Sequence, residues 1–134
     1  MAEELRSLDE TYRLDQIHVT CGEPGIPTAS VKIIDSEGHE FIESAVGNGP
    51  VDAVYNAISK VIPVSNTLEE FTVKSITDST ESLGEVTVRI ESDGQTFTGR
   101  GASTDIIVAS ARAYLNAINR LVSMQGMNSK VPVK

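Results

Sequence analysis

The chain has 134 residues, a formal charge of −8 from eleven Lys and Arg against nineteen Asp and Glu, and an apolar fraction of 40%. That size and composition fit one globular domain with a real core and exclude a disordered chain. The acidic balance speaks against a nucleic-acid partner, which demands clustered cations. No apolar run approaches the roughly 18 residues of a membrane span. Met1-Ala2-Glu3-Glu4 lacks the basic start of a signal peptide, so no membrane and a cytoplasmic location are expected. The lone Cys21 excludes an internal disulfide and a cysteine-built zinc site, and the two histidines, His18 and His39, leave little for metal or triad chemistry.

In chain order, residues 1–11 are charged and weakly periodic and read as a linker or short helix. Leu14-x-x-Ile17-x-Val19-x-Cys21 follows, a strand whose period-2 alternation starts three residues after a leucine, as if entered by a bend. The same spacing returns in Leu68-x-x-Phe71-x-Val73-x-Ser75. Ala29-Ser30-Val31-Lys32-Ile33 is matched by Val86-Thr87-Val88-Arg89-Ile90, alternating as half-buried antiparallel strands do. Ser36-Glu37-Gly38 and Ser92-Asp93-Gly94 then supply a glycine for a hairpin. Third strands open at Phe41 and Phe97 and end in Gly47-Asn48-Gly49 and Gly99-Arg100-Gly101.

After each Gly-x-Gly the period switches to 3.6. Val51, Val54, Tyr55, Ile58, Val61 and Ile62 form one helical stripe, with Pro50 in the first turn and Pro63 as the stop. Ile107, Ala111, Tyr114, Ile118 and Leu121 form the other, capped by Ser103 or Thr104 with Asp105 in the first turn. Asn56-Ala57-Ile58 recurs as Asn116-Ala117-Ile118. The chain is thus a duplication, and the predicted fold is α+β: a repeated βββα unit with pseudo-twofold symmetry, antiparallel strands packed with two helices. Repeat one covers 12–63 and repeat two 68–122, within a single domain at 12–122. Longer loops are expected over 22–28 and 78–84, and 123–134 as a frayed tail.

Glycines before a helix start expose unpaired N–H groups and a partial positive charge to a carboxylate or phosphate; they also serve as plain tight turns. Neither copy continues into a Walker loop or a dinucleotide fingerprint. Cys21 alternates with Ile17 and Val19 as a small buried thiol, His18 falls on the polar face and His39 in an exposed turn. Asp52 and Asp105 fit either the helix dipole or the ammonium of a bound zwitterion. Ala109, Ala111, Ala113 and Ala117 give the second helix a wide small-residue arc, open to core packing or to a second subunit. No nucleophile or acid–base pair is nominated by spacing, so no catalytic residue is expected.

Gly47-Asn48-Gly49-Pro50-Val51-Asp52-Ala53, Gly99-Arg100-Gly101-Ala102-Ser103-Thr104-Asp105-Ile106-Ile107 and Ala113-Tyr114-Leu115-Asn116-Ala117-Ile118-Asn119, taken in order, resemble the C-terminal regulatory domain of 2-isopropylmalate synthase, which citramalate synthase shares. The opening Ile17-His18-Val19-Thr20-Cys21-Gly22 fits as well, and the resemblance covers about residues 12–122. It implies a dimeric, non-catalytic domain, without a cofactor of its own, that binds leucine or isoleucine near the dimer interface. The effector would inhibit an N-terminal TIM-barrel domain that condenses acetyl-CoA with a 2-oxo acid. By motif, the ligand contacts implied are Gly47, Asn48, Gly49, Pro50 and Val51 in the first turn, Leu68, Phe71 and Ser75 on the following strand, and Gly101 and Ala102 in the second turn. The alternatives are a citramalate synthase domain sensing isoleucine and a dimerisation module without ligand.

Overall fold

In the computed structural model, which describes residues 11–20, 25–78 and 81–130, the order is β1 (Tyr12–Thr20), β2 (Thr28–Asp35), β3 (Glu40–Val46), α1 (Pro50–Val61), β4 (Thr67–Asp78), β5 (Glu81–Ser92), β6 (Gln95–Ser103) and α2 (Ile106–Lys130). The strands form two antiparallel three-stranded sheets, ordered β1-β2-β3 and β4-β5-β6. This is the expected doubled βββα unit. Residues 1–10 of the linker expected at 1–11, Cys21, residues 22–24 of the expected 22–28 loop and residues 131–134 of the expected tail lie outside the described residues.

Pairing fixes how the repeats correspond. Leu14 and Leu68 oppose Ile33 and Ile90, and Ile17 and Phe71 oppose Val31 and Val88. Each first strand carries a bulge at the same place, between Leu14 and Gln16 and between Leu68 and Glu70. The bend read from the leucine spacing is therefore an extra residue inside a continuous strand, which resets which side chains face inward. Both hairpin glycines take the positive φ expected of them, 89° at Gly38 and 80° at Gly94. Asp93 joins Gly94 at φ 54°, so Ser92 pairs with Gln95 across a two-residue turn.

Four expectations need correction. Gly99-Arg100-Gly101 does not end its strand: β6 continues to Ser103. Phe41 and Phe97 sit opposite the equivalent Ile33 and Ile90, so Gly99 and Gly101 correspond to Glu43 and Ala45, and Gly47 and Gly49 to Ser103 and Asp105. Asn56 accordingly corresponds to Arg112 rather than Asn116; the two donate to the equivalent carbonyls of Val46 (2.9 Å) and Ala102 (3.0 Å). No long loop spans 78–84, because β4 and β5 stay paired out to Asp78 and Glu81. Finally, α2 runs through the expected tail to Lys130.

The apolar faces of both sheets and the helical stripes meet in one core, with Val31, Ile33, Val54, Ile58, Val86, Val88, Ile90 and Ile118 fully buried. The alanine arc of α2 is consumed inside the chain. A Cβ on Gly99 would strike the backbone of Ala113 and Ala117, and one on Gly101 that of Ala109 and Ala113, so this helix lies directly on β6. Its other side reaches β1, where Asn119 exchanges two 2.8 Å hydrogen bonds with the backbone of Tyr12. The small-residue arc thus gives no argument for a second subunit.

Candidate functional site

Register makes the two helix starts equivalent, yet they differ in chemistry. Asp105 is the N-cap of α2, not a first-turn residue: its Oδ1 accepts from the Ile107 N–H at 2.8 Å, while Ser103 Oγ accepts from the Asp105 N–H at 3.1 Å. At the matching position α1 has Gly49, extended at φ −157° and without any side-chain cap. Pro50 has no N–H, and the Asp52 carboxylate is turned back to accept from Asn48 N–H at 2.9 Å. The duplication has left one helix N-terminus capped by its own carboxylate and the other with its Val51 and Asp52 amides uncapped, a place suited to an external anion.

The two glycines of this turn have separate jobs. A Cβ on Gly47 would fall on the backbone of Asp52 and Ala53, whereas one on Gly49 would meet nothing within 4 Å. Gly47 permits the tight entry into α1; Gly49 leaves the approach to its amides clear. Both helix starts open on a cleft of about 320 Å³, where Pro50 and Asp105 stand among Ile17, Val19, Ile107 and Val108. The cleft is thus mostly apolar, with the Asp105 carboxylate on one side and the first residue of α1 on the other.

The remaining nominated residues divide. Leu68, Phe71 and Ser75 share the inner face of β4, opposite Ile90, Val88 and Gly84. Phe71 meets Tyr55 edge-on, centroids 6.4 Å apart, and Tyr55 lies one turn beyond Val51 on α1. Leu68 and Ser75 are not brought to the turn at 47–51, since the backbone of β4 lies close to β5 and to no other described element, and Phe71 reaches α1 only through its side chain. Gly101 is buried under α2 and presents no surface to a ligand, and Ala102 sits on the opposite, exposed face of β6 with its carbonyl engaged by Arg112. Neither joins the α1 site. His18 and His39 are exposed, as expected.

Sequence reading placed Tyr55 in the helical stripe and missed its special position. Its ring stacks on Tyr114 at 4.4 Å, but its buried hydroxyl has no hydrogen-bond partner. Burial, with the Tyr114 hydroxyl nearby, pushes its pKa well above the usual phenol value. An orphaned hydroxyl of this kind costs about 1–3 kcal/mol. Tyr55→Phe should therefore hold or raise the melting temperature by a few degrees. Because the unfolded phenol releases its proton first, wild-type stability should fall as pH rises past about 10, and the variant should lose part of that slope in thermal melts between pH 8 and 11.

Among the described residues no group of three His, Cys, Asp or Glu comes together to hold a metal, and no helix is long and apolar enough to cross a membrane. The model of a family described as the LeuA allosteric (dimerisation) domain matches residues 1–122. The chain belongs to this family. It is 54% identical over 121 residues to 2-isopropylmalate synthase of Gloeobacter violaceus, covering 90% of this chain and 22% of that protein. It is 50% identical over 121 residues to the Olsenella uli protein of that name, covering 90% and 24%. With the Crocosphaera subtropica synthase, identity is 46% over 129 residues, 96% and 24% of the two chains. The allosteric domain thus spans between a fifth and a quarter of the length of these relatives.

Proposed function

We propose that this domain is the regulatory part of a 2-isopropylmalate synthase, binding leucine as feedback effector in leucine biosynthesis and forming a homodimer. The unequal helix starts carry the effector reading: of the two, only α1 keeps open amides, and its first residue, Pro50, lines the apolar cleft. The effector carboxylate is received by the Val51 and Asp52 amides past Gly49, its ammonium by a carboxylate of the cleft, and its branched side chain by the neighbouring apolar walls. Inhibition of a TIM-barrel catalytic domain follows if the effector binds two states of the whole enzyme unequally.

The dimer reading rests on β4. Its counterpart β1 is covered by the 25-residue α2, but the 12-residue α1 makes no equivalent cover over β4. Leu68, Phe71 and Val73 consequently remain 41%, 38% and 48% exposed on a sheet face that elsewhere forms the core. A second copy supplies the missing layer.

Gly49→Ala tests the effector site. Its methyl group has room in the fold, so the melting temperature should stay within about a degree, while it narrows the approach of an external carboxylate to the amides. Leucine affinity measured calorimetrically should drop at least tenfold. Unchanged affinity would remove the α1 turn from the site.

A further inference from the structure

Further along β1 and α2 from the α1 cleft, two adjoining clefts of about 260 and 320 Å³ run between β1, β6 and α2 and share Arg100 and Asn116. Arg13 and Arg112 line the first and Arg120 with Thr98 the second, and no Asp or Glu lines either. Among the described residues Arg100, Arg112 and Arg120 form no ion pair, and Arg13 only grazes Asp15 at 3.9 Å. Four of the six arginines of an acidic chain are gathered here, and no lysine among the described residues lines the groove.

Clustered guanidinium groups repel one another unless an anion is shared between them, and arginine rather than lysine is suited to gripping an oxyanion through paired N–H groups. Asn116 Oδ1 accepts from the Arg100 backbone N–H, which leaves its Nδ2 as a donor in the cleft that Thr98 also lines. We propose that the groove between β1, β6 and α2 binds a phosphate-type oxyanion, with Arg100 bridging the two clefts. The ligand is either free inorganic phosphate or pyrophosphate, or the diphosphate end of a nucleotide. The groove shares no residue with the α1 cleft, so this proposal stands apart from the effector reading.

Calorimetric titration of the full chain with phosphate, pyrophosphate and ADP at constant ionic strength decides it. Saturable binding is expected, at least tenfold tighter for pyrophosphate than for phosphate because two groups can span both clefts. ADP binding like pyrophosphate means that phosphate groups alone are read; tighter ADP binding points to a nucleotide source. The double variant R100A/R120A should bind at least tenfold more weakly with an unchanged melting temperature in phosphate-free buffer. R100K/R120K keeps the charge and should still lose most of the affinity, separating the forked contact from general attraction. No saturable binding to any of the three, affinity undiminished in both double variants, or binding only of a polyglutamate peptide would overturn the proposal. Leucine titration of R100A/R120A should match wild type, so a failed effector site and a failed anion site are told apart.

Discussion

Gly99→Ala is expected to destabilise the domain by about 3 kcal/mol or more, beyond the usual cost of a single added methylene in a core. The new methyl group would collide with the Ala113 carbonyl oxygen and the Ala117 amide nitrogen. These are helix backbone atoms, so no rotamer change can relieve the overlap. The only relief is for α2 to lift from β6, which loosens the packing of Phe97, Tyr114 and Ile118 in the shared core. Gly101→Ala should behave alike through Ala109 and Ala113. The usual stabilisation from Gly→Ala through the unfolded chain, about 0.4–1 kcal/mol, is here outweighed. Urea denaturation checks this, with Gly49→Ala as the control expected to remain near wild type.

The second large effect is on assembly. Phe71→Asp should convert the dimer to a monomer, weakening association by two orders of magnitude or more, which is about 3 kcal/mol and within the range of central aromatic anchors. Phe71 lies at the middle of the Leu68, Phe71, Val73 strip and touches Tyr55 only by its edge. Its ring is still 38% exposed in the isolated chain, so the substitution removes apolar surface that a partner would cover, and the fold loses one edge contact. Sedimentation velocity should show half the mass, while circular dichroism and the melting curve keep a folded transition. A variant that stays dimeric would place the interface elsewhere.

Much of the fold was legible because alternation, hairpin glycines and the Pro50 and Pro63 boundaries each act locally. Strands β2 and β5, both turns and both helical stripes lie where their residue patterns put them. What local pattern could not convey is what packs on top. Gly47-Asn48-Gly49 and Gly99-Arg100-Gly101 look alike, yet the first enters a helix and the second lies beneath one. Both first-strand bulges resembled bends, because one extra residue interrupts alternation without breaking the strand. Gly126 signalled a tail, but a lone glycine costs a helix only about 1 kcal/mol, too little to end α2. At the candidate site, the turn at 47–51 was visible as glycines before a helix. The contrast between Gly49 and Asp105 was hidden, since it emerges only once β3 and β6 are aligned through Phe41 and Phe97. Tyr55 gave no signal of its own: a stripe tyrosine resembles any core aromatic until its hydroxyl is seen to lack a partner.

The most direct measurement is isothermal titration calorimetry of the purified domain with leucine, isoleucine and valine in parallel. A single saturable leucine site per chain is predicted, tighter by about 1–3 kcal/mol than for isoleucine, in which one methyl is displaced, or for valine, which is one carbon shorter. No saturable heat with any of the three, in a sample shown to be dimeric, would contradict an effector site at the α1 turn and leave a dimerisation module. A clear preference for isoleucine would instead contradict the assignment to leucine feedback and favour a citramalate synthase.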